Sequence, residues 1–353
     1  MLNYLPHFDS FARPPLESKA LGGKISLNKN EAPFSPQDIV PDIDFDLGPA
    51  PFNVYPDAFP LYEALANFLG CARENLLFTC GSEQAIRQAF EVMVGPGDEV
   101  VYMNPSFAMI DVFASQFRAK KSIVPFNDQL QCPVADILAT ITRQTKLVVL
   151  PNPNNPTGSI LSNEELERIA VKCAPSGTML LVDEAYYHYY PQSAVQLVQK
   201  YEHVIITRTF SKAWGLAGTR VGYVVAQPQT INLLRKVKPI DEVSTPAIHQ
   251  CLQVLRHPEI LTRNVGQVQN WKSTFARLTG PHVFHVPSEG NFILLKCSPQ
   301  AHEKCSAWFL ENDMLIHYQM PFPALRHHLR LSVGKDACMK KIMAQLQGCN
   351  AGL

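Results

Sequence analysis

Apolar residues in this chain follow two periods that take turns. Leu61, Leu65, Phe68 and Leu69 share a helical face, and so do Ile86, Phe90 and Met93. Leu166, Ile169 and Ala170 repeat the pattern, and Ser162 with Glu165 has the spacing of a capping box ahead of them. Between these stretches lie short apolar runs: Leu76-Leu77-Phe78, Glu99 to Met103, Ser122 to Pro125, Lys146 to Leu150, Thr178 to Val182 and Val204-Ile205-Ile206. Runs this short, with little polar alternation, predict strands covered on both faces. A helix is expected to start at Pro105-Ser106. Strands that alternate with helices from Leu76 to Val225 predict an open, mainly parallel α/β sheet.

Beyond Gln227 the order changes. Helices are expected over 231–237, 248–255 and 264–278. Strand, strand, helix, strand, strand, helix then describes a small α+β domain that ends in a helix from Lys335. The first 54 residues are different again. Prolines recur there, and Ile25-Ser26-Leu27 is a short piece with strand character. An arm so poor in periodicity has no core of its own and must lie across another surface. The expected division is an arm at 1–54, a large domain at 55–240 and a small domain at 241–353.

Composition narrows the function classes. A hydrophobic share of 46% over 353 residues supports a large core and argues against disorder. Lys plus Arg and Asp plus Glu number 31 each, so no basic footprint for nucleic acid exists. Nine cysteines occur without a C-x-x-C pair or cysteine–histidine ligand spacing, which predicts reduced thiols and no metal site. Met1 to Phe11 has no apolar h-region, and no run reaches the roughly 20 apolar residues that span a bilayer. A cytoplasmic protein with no membrane partner is expected.

The chemistry concentrates at Thr209 to Arg220. A buried strand leads into Thr209-Phe210-Ser211-Lys212, followed by small residues and Arg220. A lysine on a partly desolvated turn loses its charge more easily than one in water. It can then form a Schiff base with an aldehyde. Hydroxyls and a second cation beside it suit a phosphate, so the stretch points to a phosphorylated aldehyde. Gly81-Ser82 opens a helix after a strand and offers free N–H groups to an anion. On local grounds alone, Ser82 reads first as an ordinary helix N-cap. Gly81, Asn155, Asp183, Tyr186 and Lys212 all follow directly on expected strands. Open α/β sheets place their sites at that end.

In order along the chain stand Leu27-Asn28-Lys29-Asn30-Glu31, Tyr55-Pro56-Asp57, Gly81-Ser82-Glu83 and Pro153-Asn154-Asn155-Pro156-Thr157-Gly158. Asp183-Glu184-Ala185-Tyr186, Ser211-Lys212-Ala213, Gly218-Thr219-Arg220-Val221-Gly222, Gly290-Asn291-Phe292 and Leu329-Arg330-Leu331-Ser332-Val333-Gly334 complete the set. With these motifs the chain resembles the fold-type I pyridoxal-phosphate aminotransferases over nearly its whole length. The histidinol-phosphate aminotransferase branch is the nearest match.

The resemblance implies a role for each residue. Lys212 would carry pyridoxal 5'-phosphate and move the substrate proton. Asp183 would keep the pyridine nitrogen protonated. Asn155 and Tyr186 would bond the phenolic oxygen, and Phe107 would stack on the ring. Gly81, Ser82, Glu83, Thr209, Ser211 and Arg220 would surround the cofactor, most of them at its phosphate. Tyr55 would reach that phosphate across the interface of a homodimer, whose partner subunit the arm would also touch. Arg330, His317, Asn155 and Asn28 would face the substrate.

The implied reaction exchanges an amino group between histidinol phosphate, or a related amine or amino acid, and 2-oxoglutarate. An aromatic or other amino-acid aminotransferase, or a decarboxylase of the phosphothreonine type, shares the same motifs. A non-enzymatic regulator of this fold is disfavoured by the intact lysine and aspartate. Five departures stand out. Phe107 replaces a usual tyrosine, Trp214 a phenylalanine and Thr219 a leucine. His317 stands where the branch usually has an arginine that grips substrate phosphate, and the arm reads Arg13-Pro14-Pro15 without the usual proline–tyrosine pair.

Overall fold

A computed structural model describes residues 5–10, 22–47 and 53–352. Arg13-Pro14-Pro15 lies outside the described residues. Within the arm, β1 (Ile25–Ser26) is a short strand. Seven strands follow: β2 (Leu76–Thr79), β3 (Glu99–Asn104), β4 (Lys120–Pro125), β5 (Thr145–Pro151), β6 (Met179–Asp183), β7 (Val204–Thr209) and β8 (Gly222–Val225). They form one sheet in the order β2-β8-β7-β6-β5-β3-β4. From β7 to β4 every pairing is parallel, while β8 runs antiparallel to both β7 and β2.

The apolar runs are continuous because both faces are covered. Val148 and Leu150 point to one side with Leu61, Leu65, Leu166 and Ile169. Leu147 and Val149 point to the other with Ile86, Phe90, Ile110 and Phe113. The helix Asn163–Cys173 opens with the expected reciprocal cap, Ser162 Oγ accepting from Glu165 N and Glu165 accepting from Ser162 N at 2.8 Å. Two local expectations need correction. The helix Gly81–Met93 is capped at Cys80, one residue before Gly81, so Ser82 sits inside the first turn and is not its cap. The next helix, Ala108–Gln116, begins three residues after Pro105, with Phe107 at its cap. Short helices at Val134–Thr140 and Val195–Lys200 add to those expected.

A second sheet of three antiparallel strands comprises β9 (Val283–Val286), β10 (Phe292–Cys297) and β12 (His328–Ser332), with β10 central. Its core takes Phe275, Phe292, Leu329, Leu331 and Ile342, along with Leu27 of the arm. The arm strand β1 pairs in parallel with β11 (Met314–Leu315). The helix Thr245–Leu255 puts Ala247, Ile248, Cys251 and Val254 into the large-sheet core, and Val268 on the helix Glu259–Phe275 enters the smaller core.

Candidate active site

The parallel strands β5, β6 and β7 end on one edge, and their last residues open into a cavity of about 360 Å³. Pro151 ends β5, Asp183 ends β6 and Thr209 ends β7. Asn28, Gly81, Ser82, Glu83, Phe107, Asn155, Asp183, Tyr186, Thr209, Ser211, Lys212, Arg220, His317 and Arg330 all line it. The arm brings Asn28 to the cavity, and the small domain brings His317 and Arg330. Tyr55 does not line it and is 85% exposed. Lys29, Asn30 and Ala185 also face the cavity, with no role foreseen for them. Their motif positions carried the signal, but Asn30 shows its place only through a fold that brings residue 332 beside it.

One end of the cavity suits an anion. Gly81 stands at φ +75, where a Cβ would meet Arg220 Nη2 at 2.7 Å, so a glycine is needed for the arginine to come close. Arg220 itself holds a left-handed backbone at φ +57. Its Nη1 lies 3.4 Å from Ser211 Oγ. Ser211 Oγ in turn accepts from Thr209 Oγ1 at 2.9 Å. A guanidinium, three hydroxyls and a helix N-terminus thus converge, with Ser82 in the first turn of the helix Gly81–Met93.

The cavity also holds a buried carboxylate. Asp183 is pushed up to about 6, first by burial and further by Glu184 beside it. A 2.6 Å hydrogen bond from Thr207 Oγ1 and the Ala185 N–H work against that rise. A carboxyl held this way needs a cationic or proton-sharing partner inside the cavity.

Lys212 lines the same cavity, within electrostatic reach of both Arg220 and Asp183. Its Nζ donates to Lys29 O at 2.8 Å and sits 5.8 Å from the Tyr186 ring centre. Loss of solvent, then Arg330 and Arg220, push it down to about 8. An amine so poised is partly neutral near physiological pH and can act as a nucleophile or base. Burial pushes the Tyr186 phenol up, opposed by Arg330 and by a hydrogen bond from Asn30.

The remaining wall holds a buried guanidinium. Arg330 Nη1 donates to Asn155 Oδ1, and Nη2 donates to Asn28 O at 2.8 Å. Its Nε is buried without a partner, and its head lies over the Phe292 ring at 5.5 Å. His317 and Arg330 exchange both backbone hydrogen bonds, at 3.0 and 2.9 Å. Burial and the Arg330 charge push the His317 imidazole down to about 4. It is therefore a neutral ring at pH 7, lacking the charge that an arginine would hold there.

A cationic cup, an amine and a buried carboxylate in one cavity fit a phosphorylated pyridine aldehyde. Among the described residues, no group of three histidine, cysteine or acidic side chains is placed to hold a metal. The mainly parallel sheet, the smaller antiparallel domain and this strand-end site define a fold-type I transferase. A model of the family aminotransferase class I and II matches residues 23–346, and the chain belongs to that family.

Its relatives sharpen the comparison. A histidinol-phosphate aminotransferase from Thermoanaerobacter sp. (strain X514) is 34% identical over 316 residues, covering 88% of each chain. Another from Rhodopirellula baltica is 32% identical over 96% of this chain and 94% of that protein. The crystal structure of histidinol-phosphate aminotransferase from Sinorhizobium meliloti in complex with pyridoxal-5'-phosphate aligns with a TM-score of 0.85. That alignment has 25% identity and covers 99% of this chain and 98% of that one.

Proposed function

We propose that this aminotransferase uses pyridoxal 5'-phosphate to exchange an amino group between a primary amine and a 2-oxo acid, with histidinol phosphate as the leading amine. The observation that carries the reading is that Arg220, Lys212 and Asp183 line one cavity, where Lys212 feels the charges of both others. The relatives named above favour histidinol phosphate over other amines.

When bound, the cofactor supplies an electrophilic aldehyde and an electron sink for the bond that breaks at the substrate carbon. Ser82, Thr209, Ser211 and Arg220 would hold its phosphate, and Asp183 would keep a proton on its ring nitrogen. Phe107 would cover one ring face. Lys212 Nζ would hold the aldehyde and, once the substrate amine has displaced it, would take the proton from the substrate carbon and return it, as an amine near neutrality can. Asn155 and Tyr186 would bond the phenolic oxygen. Arg330 would bind one anionic group of the substrate, exchanging its bond to Asn28 O for that group. His317 and Asn28 would border the same end.

In this reading the protein is a cytoplasmic homodimer, and Tyr55 reaches the phosphate cup of the other subunit. The 85% exposure of that tyrosine in the single chain supports the idea. Of the division at 1–54, 55–240 and 241–353 the second boundary moves beyond Leu255, because the helix Thr245–Leu255 packs into the large-sheet core. Neutral His317 favours a second reading, an aminotransferase for amino acids with uncharged side chains.

A half-reaction screen tests the proposal. Protein loaded with pyridoxal phosphate is mixed with histidinol phosphate, phenylalanine or an unphosphorylated amino alcohol while cofactor absorbance is followed. In a separate sample without amine, borohydride reduction and peptide mapping should place the label on Lys212. Label on another lysine, or no absorbance change with any amine, would overturn the reading.

A further inference from the structure

Asn30 belongs to the arm, yet it is 2% exposed and set between the two domains. Its backbone stands at φ +52, in the left-handed region that asparagine tolerates better than most residues. Both of its backbone groups are tied to the small domain. Its N–H donates to Ser332 Oγ at 2.9 Å, and its carbonyl accepts from Asn291 Nδ2 at 2.9 Å. The side chain reaches the other way, and Nδ2 donates to Tyr186 Oη at 2.8 Å. Its Oδ1 is buried with no partner. Leaving one end of a buried amide unpaired costs stability, so the bond at the other end is the one the site retains.

We propose that Asn30 is a positioning residue for Tyr186. By donating to the phenol oxygen, it leaves the Tyr186 hydrogen free to point into the cavity and polarises that O–H toward a better donor. The inference rests on the reading of the cavity as a pyridoxal phosphate site in which Tyr186 donates to the phenolic oxygen. Three charged groups also face Tyr186: Asp183 at the end of β6, Lys212 after β7 and Arg330 on β12. Their charges set the local potential, whereas the bond from Asn30 sets direction. The Asn30 side chain thereby reaches the chemistry through the Tyr186 phenol.

Two substitutions separate side chain from backbone. Asn30→Gly keeps the left-handed turn and deletes the donor. Asn30→Asp keeps the shape but can only accept, so it draws the Tyr186 hydrogen back toward the arm. The readout is the pH midpoint of the bound cofactor's absorbance in protein loaded with pyridoxal phosphate. A donor to the phenolic oxygen stabilises its anion and holds that midpoint down. Asn30→Gly should raise it by roughly half to one pH unit, the size of one hydrogen bond. Asn30→Asp should raise it at least as far.

In a Tyr186→Phe background, Asn30→Gly should cause no further shift, because the two residues act as one unit. An unchanged midpoint, or an equal shift without the Tyr186 hydroxyl, would overturn the proposal. A wild-type protein that takes up no cofactor would overturn the reading of the site instead, which the wild-type spectrum reveals before any variant is made. Any loss of stability from Asn30→Gly leaves the midpoint measurable in the folded fraction.

Discussion

Thr207 gives its hydroxyl hydrogen to Asp183 Oδ1 at 2.6 Å, across two residues that pair in register on β6 and β7. The bond offsets only part of the burial that lifts Asp183 to about 6. A carboxyl that holds its proton more tightly when folded favours the folded state at low pH. That advantage is complete below the unfolded value near 4 and is lost as the pH rises through 6.

Cofactor-free protein should therefore lose stability from Asp183 between about pH 4 and pH 6, by an amount on the order of 3 kcal/mol. Urea unfolding of wild type against Asp183→Asn isolates this contribution, since the amide cannot titrate. Thr207→Val removes a donor to the carboxylate and should extend the loss to higher pH. A pH-independent difference between wild type and Asp183→Asn would refute the argument.

Arg208 and Glu184 form a buried ion pair at 2.9 Å, with the side chains 4% and 2% exposed. Ser193 Oγ and the Ala194 N–H also bond Glu184, and Arg208 stacks on the Tyr187 ring at 3.6 Å. Every Glu184 oxygen is thus paired, and removing one partner strands a buried charge. Arg208→Met should destabilise the protein by about 3–5 kcal/mol. The exposed pair Lys200–Glu167, also at 2.9 Å, is the control. Breaking it by Lys200→Ala should move the urea midpoint little. Equal effects at the two sites would show that burial does not govern the Arg208 pair.

Much of this site is legible in the sequence because function sits where regularity stops. Asp183, Thr209 and Lys212 each close or follow an apolar run, and the parallel sheet carries such ends to one edge. Arg330 and His317 are legible through motif position alone. Their pairing depends on a two-residue backbone bridge that no periodicity reveals. Ser82 reads as a cap because a Gly-Ser pair after a strand fits two helix starts, and the left-handed Gly81 decides between them. The antiparallel β8 is hidden as well. Its run Gly222–Val225 is as apolar as its parallel neighbours, so strand direction leaves no trace in composition. The short helices Val134–Thr140 and Val195–Lys200 span too few turns for a clear period.

Tyr55 tests the shared site. Lys212→Ala leaves one subunit without its amine, and Tyr55→Ala leaves the other without its expected contact to a partner's phosphate. If the two act in one site across an interface, heterodimers of these variants contain one site with both residues intact. Equimolar mixing under conditions that exchange subunits should restore activity toward about a quarter of wild type, and the isolated heterodimer toward about half, above either parent. Full activity from a monomer by light scattering, or no gain on mixing a confirmed heterodimer, would sink the idea.

His317 tests the choice of amine. An unburied imidazole near its usual 6.5 would strengthen phosphate binding as the pH falls through that value. Here burial and Arg330 hold the ring near 4, so it stays neutral from pH 6 to 8. Any change in binding of a phosphorylated amine over that range should follow the second ionisation of the substrate phosphate, near 6. His317→Arg adds a permanent cation beside Arg330. Two guanidinium groups repel unless a dianion bridges them, so the gain should be selective. We expect kcat/KM for histidinol phosphate to rise about tenfold relative to phenylalanine, as one new charge-assisted hydrogen bond would give. The unphosphorylated amino alcohol should gain nothing. If all three substrates keep their ratios in the variant, His317 lies outside the recognition surface and Arg330 sets the preference without it.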